Sequence, residues 1–166
     1  MKLSPKEFVK TYYPFAKEVE KETGVFAVTI LVRAAIESGW GDRVLGNNFF
    51  GIKDTDGING NEQLITTTEY IKRPGAKFPV ILKVVPFGNK IWKYLVKDYF
   101  RKYDTPKESF MDFANFLKRN PRYSKALTKT NALDMGVEIC KSGYATDPSS
   151  IKLCQQVTAM IEKLIY

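Results

Sequence analysis

The sequence has no histidine among its 166 residues. Imidazole is the usual base for serine and cysteine nucleophiles and the commonest nitrogen ligand of zinc. Its absence therefore excludes Ser-His triads, Cys-His dyads and the ordinary zinc ligand sets. Carboxylate chemistry remains for an enzyme, and we expect neither a metal ion nor an organic cofactor.

Cysteine is almost as scarce, with Cys140 and Cys154 alone. The two lie equally far on either side of Asp147, so antiparallel helices that reverse near this residue would bring them face to face. A disulfide and a pair of buried free thiols both stay open, because a core of this size does not require a covalent bridge.

Long apolar runs are also missing. No stretch of about 18 apolar residues occurs, so we expect no transmembrane segment, and residues 1–5 lack the apolar run of a signal peptide. An export route through a removed leader or through another protein stays open. The length fits one compact domain over residues 1–166, and we expect a monomer.

The charge that is present is mostly positive, with a net value of +8. Such a balance favours an anionic partner: a nucleic acid, a membrane surface or an acidic wall polymer. Lysines and aromatic residues interleave over residues 90–102, but the sequence contains no Lys/Arg block and no nucleic-acid motif. We therefore interpret this segment as solvated strand faces and expect no nucleic-acid partner.

Helical patterns dominate both ends of the chain. Ser4-Pro5-Lys6-Glu7 has the form of a capping box and opens a helix that Gly24 ends. Residues 25–36 are apolar on nearly every face, which predicts a buried helix. Further helices are predicted after Asp104, Asn131 and Asp147. Their expected inward residues include Phe110, Phe113, Ala114, Leu117, Leu133, Val137, Cys140, Ile151, Cys154, Ile161 and Leu164.

The middle of the chain has a different pattern. Residues 39–60 are rich in Gly, Asn and Asp, which predicts a long loop. Three β-like segments follow, at residues 64–70, 80–85 and 91–96, and form a small lobe over roughly residues 62–103. The predicted class is α+β, mainly α.

Glu37 stands where the buried helix gives way to the turn Ser38-Gly39-Trp40-Gly41. Desolvation beside an aromatic ring raises the pKa of a carboxyl group from about 4.3 towards roughly 6, so that it donates a proton near neutral pH. Glycoside hydrolysis uses such a group. Arg33, four residues earlier on the same helical face, offers the alternative of a structural ion pair without catalysis.

Five motifs carry a resemblance to a known family. They are Glu37-Ser38-Gly39-Trp40-Gly41, Asn48-Phe49-Phe50-Gly51-Ile52-Lys53, Thr67-Thr68-Glu69-Tyr70, Asn120-Pro121-Arg122-Tyr123 and Gly143-Tyr144-Ala145-Thr146-Asp147-Pro148. Together they resemble the bacterial glucosaminidase family, which includes flagellar peptidoglycan hydrolases, autolysins and phage lysins. The resemblance implies a lysozyme-like helical domain with a small β-hairpin lobe beside the active-site cleft. It leaves out residues 71–98, which look longer than the family's usual hairpin connection.

The resemblance also implies an activity. The family cleaves the β-1,4 bond after N-acetylglucosamine in peptidoglycan glycan strands, with the glutamate that matches Glu37 as general acid. Glu69 matches a candidate second carboxylate, and Tyr144 would line the cleft near the scissile sugar. Implied substrate contacts are Trp40, Asn48, Phe49, Lys53, Tyr70, Tyr123 and Asp147. Action on the bacterial wall follows, whether periplasmic, extracellular or phage-released.

Two mechanisms are compatible with these residues. If Glu69 activates water, the anomeric centre inverts and the two carboxyl groups lie about 6.5–9.5 Å apart. If Glu69 does not reach the sugar, the N-acetyl oxygen of the substrate attacks instead, and one protein carboxylate suffices. A different function is also compatible with the sequence: a glycan-binding or assembly module of the same fold with weak turnover.

Overall fold

The computed structural model describes residues 2–166. Five α-helices and three β-strands lie in this range: α1 Pro5–Thr23, α2 Ala27–Ser38, β1 Glu62–Ile71, β2 Val80–Gly88, β3 Ile91–Arg101, α3 Pro106–Arg119, α4 Ala132–Ile139 and α5 Ser150–Ile165. A π-helical segment, Cys140–Tyr144, follows α4. The predicted mainly helical α+β class is confirmed.

The chain divides into two compact units. The first, called the helical unit, runs up to Phe50 and resumes from Tyr103 to Tyr166. The second, called the sheet unit, is Gly51–Lys102. The single domain expected over residues 1–166 stays a prediction.

Helix α1 begins and ends at the predicted residues. Ser4 Oγ accepts a hydrogen bond from the Glu7 backbone N–H at 3.3 Å, and Glu7 Oε2 accepts one from the Ser4 N–H at 2.9 Å. This reciprocal capping box satisfies donors that a helix start otherwise leaves unpaired. At the other end Gly24 adopts a φ of 78°, in the left-handed region that glycine tolerates best.

Helix α2 is the buried helix that the sequence predicts. Ten of its twelve residues are buried, and it packs against α1, α4 and α5. No side chain at the Phe26 cap bonds its first turn, but Glu20 Oε2 accepts the Ala27 N–H at 2.7 Å. Its burial includes the charged side chain of Arg33, which is 2% exposed.

Aromatic rings join α1, the loop after α2 and α3. Phe49 is 1% exposed and meets Tyr12 and Phe110 edge-on, with centroid distances of 4.9 and 5.1 Å. Phe50 stacks on Phe113 at 4.3 Å with nearly parallel planes. Because such pairs add stabilisation beyond the apolar area they bury, they anchor this part of the loop to the helices.

The predicted inward faces of α4 and α5 are partly wrong. Leu133 and Leu164 are 37% and 40% exposed, whereas Met135, Gly136, Ile139, Cys140, Cys154, Val157 and Ile161 are buried. A Cβ atom added to Gly136 would lie 2.9 Å from Cys154 Sγ, so α4 approaches α5 through its glycine. This close approach sets the rotation of α4 and turns Leu133 outward.

The sheet unit holds an antiparallel sheet in the order β1-β3-β2. Thr67 pairs with Val96 and Glu69 with Tyr94, so Glu69 lies on the same face as Ile65, as predicted. The predicted reversal near Gly88 is also confirmed, since Asn89 and Lys90 both have positive φ values between β2 and β3, as a tight primed hairpin turn requires.

We expect Ser4→Ala to lower the free energy of unfolding by about 1 kcal/mol, because it removes the capping oxygen and the hydroxyl partner of Glu7. Urea denaturation followed by circular dichroism measures the change. Lys10→Ala, at an exposed position within the same helix, is the matched control and should change stability much less. Equal stability of Ser4→Ala and the native chain would contradict this role of the cap.

Candidate active site

The turn after Glu37 is fixed by its serine and glycine. Ser38 Oγ donates to the Ala34 carbonyl at 2.6 Å and accepts the Gly41 N–H at 2.9 Å. Gly39 has a φ of 60°, and a Cβ atom there would lie 2.7 Å from Arg43 Nη1. A side chain there would displace the Arg43 guanidinium, and the left-handed backbone at Gly39 ends α2 at Ser38, one residue after Glu37.

Glu37 and Arg33 form an ion pair on one face of α2, as one of the two sequence interpretations expects. An Nη2 hydrogen of Arg33 is donated to Glu37 Oε1. The side chain of Glu37 is 34% exposed, while that of Arg33 is 2% exposed. The carboxylate therefore stands at the solvent end of the pair, with the positive charge beneath it.

The Arg33 guanidinium has two further neighbours. Its carbon lies 4.8 Å from the centroid of the Tyr144 ring, a cation–π geometry. Its Nη1 lies 3.6 Å from Cys140 Sγ and donates a weak hydrogen bond to it. Arg33 Nε is buried and has no hydrogen-bond partner among residues 2–166.

Tyr144 is positioned by the π-helical segment. Gly143 within that segment has a φ of 100°, and a Cβ atom there would lie 3.4 Å from Arg122 Nη2. The Tyr144 ring meets those of Phe113 at 5.8 Å and Tyr123 at 6.2 Å. Short π-helical segments of this kind are frequent at functional sites.

Burial raises the pKa of Tyr144 well above its usual value, and the nearby Glu37 carboxylate raises it further against the opposing charge of Arg33. The phenol is thus neutral near physiological pH. Its hydroxyl group is therefore able to donate or accept a hydrogen bond, and it carries no negative charge.

The two cysteines face each other as free thiols. Both side chains are buried. The neighbouring Cys154 thiol, with the Arg33 charge and Ser150, outweighs the effect of burial and lowers the pKa of Cys140 below its usual value. The neighbouring Cys140 and burial raise the pKa of Cys154. The predicted face-to-face arrangement is confirmed, and the free thiols are the alternative that the structure contains.

Four other expected site residues of the helical unit lie in or against the core. Phe49, Tyr123 and Asn48 are buried. The Trp40 indole packs edge-on against Phe8 with centroids 5.5 Å apart. The ring that lies against the Arg33–Glu37 pair is that of Tyr144.

Asp147 is exposed, at the loop before α5. Its Oδ1 accepts hydrogen bonds from the Ser149 N–H at 2.8 Å and the Ser149 hydroxyl at 2.7 Å. These bonds hold the pKa of the Asp147 carboxyl below its usual value. The observed contacts of Asp147 are thus local and shape the start of the last helix.

The sheet unit brings Lys53 and Glu69 together. Lys53 Nζ lies 2.9 Å from Glu69 Oε1 and 3.0 Å from Asp98 Oδ2. Burial alone would lower the pKa of Lys53, but the hydrogen bonds to both carboxylates raise it above its usual value. Tyr70, the remaining expected contact, is exposed and packs against Phe87 at 4.9 Å.

Residues 2–166 contain no cluster of three or more Cys, Asp or Glu side chains arranged to hold a metal ion. None of the helices described over that range combines the length and apolar character needed to cross a membrane.

Sequence reasoning missed the surroundings of Arg33. It placed Arg33 beside Glu37 but did not connect either residue to Cys140. The signal was a single cation in an otherwise apolar, buried helix, because a charge at such a position requires partners from other elements.

The fold defines a class, the lysozyme-like glycoside hydrolase domains. The structure resembles the glycoside hydrolase domain of FlgJ from Salmonella typhimurium with a TM-score of 0.74 and 27% sequence identity, over 98% of this chain and 91% of that one. Residues 13–165 match the family model described as mannosyl-glycoprotein endo-beta-N-acetylglucosaminidase. The chain belongs to this glucosaminidase family.

Two relatives extend the comparison. The chain is 33% identical over 170 residues to the peptidoglycan hydrolase FlgJ of Salmonella typhimurium, covering 96% of this chain and 48% of that protein. It is 29% identical over 157 residues to a probable N-acetylmuramidase of Lactococcus lactis subsp. cremoris, covering 88% of this chain and 31% of that protein. The chain thus spans about half or less of the length of these relatives.

We expect Tyr144 to stay protonated through the range, about one unit either side of pH 10, where a free tyrosine titrates. The ultraviolet phenolate absorbance of the native chain and of Tyr144→Phe should then rise in parallel over that range. In denaturant the native chain should gain the absorbance of one more phenolate than the variant. A difference between the two folded proteins below pH 10 would contradict the raised pKa.

Proposed function

We propose that the chain hydrolyses peptidoglycan as an endo-β-N-acetylglucosaminidase, cleaving the β-1,4 bond after N-acetylglucosamine, with Glu37 as general acid. The observation that carries the proposal is the position of the Glu37 carboxyl. It is half-buried near the end of the most buried helix, paired with an arginine that lies over the Tyr144 ring and followed directly by the Ser38-Gly39 turn. Membership of the glucosaminidase family supports it.

The reaction begins with Glu37 protonated. Glu37 gives its proton to the bridging oxygen while the bond from that oxygen to the anomeric carbon breaks. The Tyr144 hydroxyl, next to Glu37, hydrogen-bonds the sugar at the same point. The Glu37 carboxylate then takes a proton from the incoming water, which returns the site to its starting state.

We assign the attack on the anomeric carbon to the N-acetyl oxygen of the substrate. Lys53 holds the Glu69 carboxylate in an ion pair, and Asp98 shares the same ammonium group. Taking a proton from water would cost Glu69 that pair. Glu69 instead orders the Lys53 side chain, while Lys53 and the exposed Tyr70 bind the glycan strand.

Charge supports the choice of substrate and place. Residues 51–102 contain ten lysines and arginines against five carboxylates, so the sheet unit carries +5 of the chain's net charge of +8. An anionic polymer such as the bacterial cell wall attracts such a surface. We infer that the chain acts at the wall, on peptidoglycan glycan strands, as a monomer.

Two alternatives rest on particular observations. The Arg33–Glu37 ion pair favours the ionised carboxylate, which suits a glycan-binding module with weak turnover. The relative named a probable N-acetylmuramidase points to cleavage on the other side of the N-acetylmuramic residue. Product analysis separates both from the main proposal.

We expect Glu37→Gln to lower the rate of product release by about 10²–10⁴-fold, because an amide donates no proton to the leaving oxygen. Mass spectrometry of borohydride-reduced products from purified peptidoglycan measures the rate. Glu162→Gln, on the last helix, is the matched control and should retain native activity. Circular dichroism of both variants should match the native chain.

Each product pattern has one meaning. Reduced N-acetylglucosamine ends that disappear in Glu37→Gln support the proposal. Reduced muramic ends replace it with a muramidase, and tight binding without soluble products replaces it with the binding module.

We expect the first-formed product to retain the anomeric configuration, since attack by the N-acetyl group and then by water inverts the centre twice. Proton NMR of a fresh digest measures the anomer. Glu69→Gln should lower the rate far less than Glu37→Gln. An inverted product, together with a loss in Glu69→Gln as large as that in Glu37→Gln, would assign the water-activating role to Glu69.

A further inference from the structure

The buried Arg33 charge poses a problem for acid catalysis. Glu37 is its carboxylate partner, yet a general acid must carry a proton, and a protonated carboxyl no longer balances the guanidinium. Arg33 is 2% exposed, so water does not replace that partner. An uncompensated buried charge is strongly unfavourable, and the ion pair by itself therefore opposes the protonated state that the reaction needs.

The groups around the pair identify the second partner. Tyr144 meets Arg33 through its ring face, and the raised pKa of its phenol keeps it neutral. Tyr123 lies behind Tyr144, with ring centroids 6.2 Å apart. Cys140 Sγ lies 3.6 Å from Arg33 Nη1.

The other charged neighbours are positive. Arg43 donates to the Glu37 carbonyl at 3.0 Å, and Arg122 lies against Gly143 and the Tyr123 ring. In the described part of the chain, Cys140 is thus the group besides Glu37 that contacts the guanidinium and is able to become an anion.

We propose that Cys140 is a positioning residue of the active site, whose thiolate balances the buried Arg33 charge while Glu37 holds the catalytic proton. The inference rests on the proposed function of Glu37. In one state Glu37 is a carboxylate and Cys140 a thiol; in the other Glu37 is a carboxylic acid and Cys140 a thiolate. One proton has changed place, and the charge of the Arg33, Glu37 and Cys140 group is the same in both.

The surroundings of Cys140 fit this role. Arg33 Nη1 donates to the Cys140 sulfur at 3.6 Å, and the neighbouring Cys154 and Ser150 of α5 act in the same direction, lowering the pKa of Cys140. A positive charge and nearby donors stabilise a thiolate. The absence of Cβ at Gly136 allows Cys154 to approach α4 closely enough to make its contact. Burial protects the thiolate from reagents, so it acts as a counter-charge and not as a nucleophile.

The test compares native chain, Cys140→Ser, Arg33→Gln and the double variant, all under reducing conditions. Serine stays neutral, so in Cys140→Ser the full Arg33 charge favours the Glu37 carboxylate. The apparent pKa of the basic limb in the kcat pH profile should therefore fall by about one pH unit. At pH values above that limb, this shift corresponds to an about tenfold loss of kcat. KM should change little. With Arg33→Gln already present, Cys140→Ser should have no further effect on the limb.

Ile139→Val is the matched control, since it trims the buried neighbour of Cys140 without changing a charge, and its pH profile should match that of the native chain. Carbon NMR of carboxyl-labelled glutamate, with Glu37 assigned from Glu37→Gln, follows the same titration without substrate. This second readout decides the inference even if the chain releases no products from peptidoglycan.

A downward shift of the Glu37 titration in Cys140→Ser that disappears in the Arg33→Gln background supports the proposal. Identical titrations in the native chain and Cys140→Ser overturn it. If Cys140→Ser does not fold, Cys140→Ala is titrated in its place. A Glu37 titration that moves down in that variant supports the proposal, and one identical to that of the native chain overturns it.

Discussion

A full positive charge inside the most buried helix is the constraint on which the active site depends. Arg33 lies within an apolar helix and is almost fully shielded from water. Its neighbours therefore have to balance its positive charge. Glu37 takes one end of the guanidinium, Cys140 lies at the other, and the Tyr144 ring covers one face.

The helical unit is built to hold that charge. Ser38 and Gly39 end α2 one residue after Glu37, which leaves the carboxylate at the surface and the guanidinium below it. On the opposite side, the glycine at position 136 lets α4 and α5 approach, and the π-helical segment then turns Tyr144 back towards α2. Close packing of the helices thus fixes the positions of these polar groups, because densely packed interiors leave side chains little freedom to move.

The sheet unit shows a different balance of local and long-range effects. Its strands and its turn at Asn89-Lys90 follow from alternation and from turn residues close together in the sequence. The ion pair of Lys53 with Glu69 does not, because the two residues come from a loop and from β1. That contact changes the interpretation of Glu69, because the candidate second carboxylate is held in an ion pair with a lysine.

Much of the fold followed from the sequence by itself. The capping box at Ser4, the stop at Gly24, the apolar helix that ends just after Glu37 and the helix starts after Asp104 and Asn131 are local features, decided by hydrogen bonds within a few residues. The five motifs also pointed to the glucosaminidase family. Tertiary structure alone decided that Leu133 faces solvent, that Phe49 belongs to the core and that Arg33 meets Cys140 and Tyr144. These outcomes depend on how helices rotate against one another, and that rotation is set by side-chain volumes and buried charges from distant parts of the chain, which no local pattern contains.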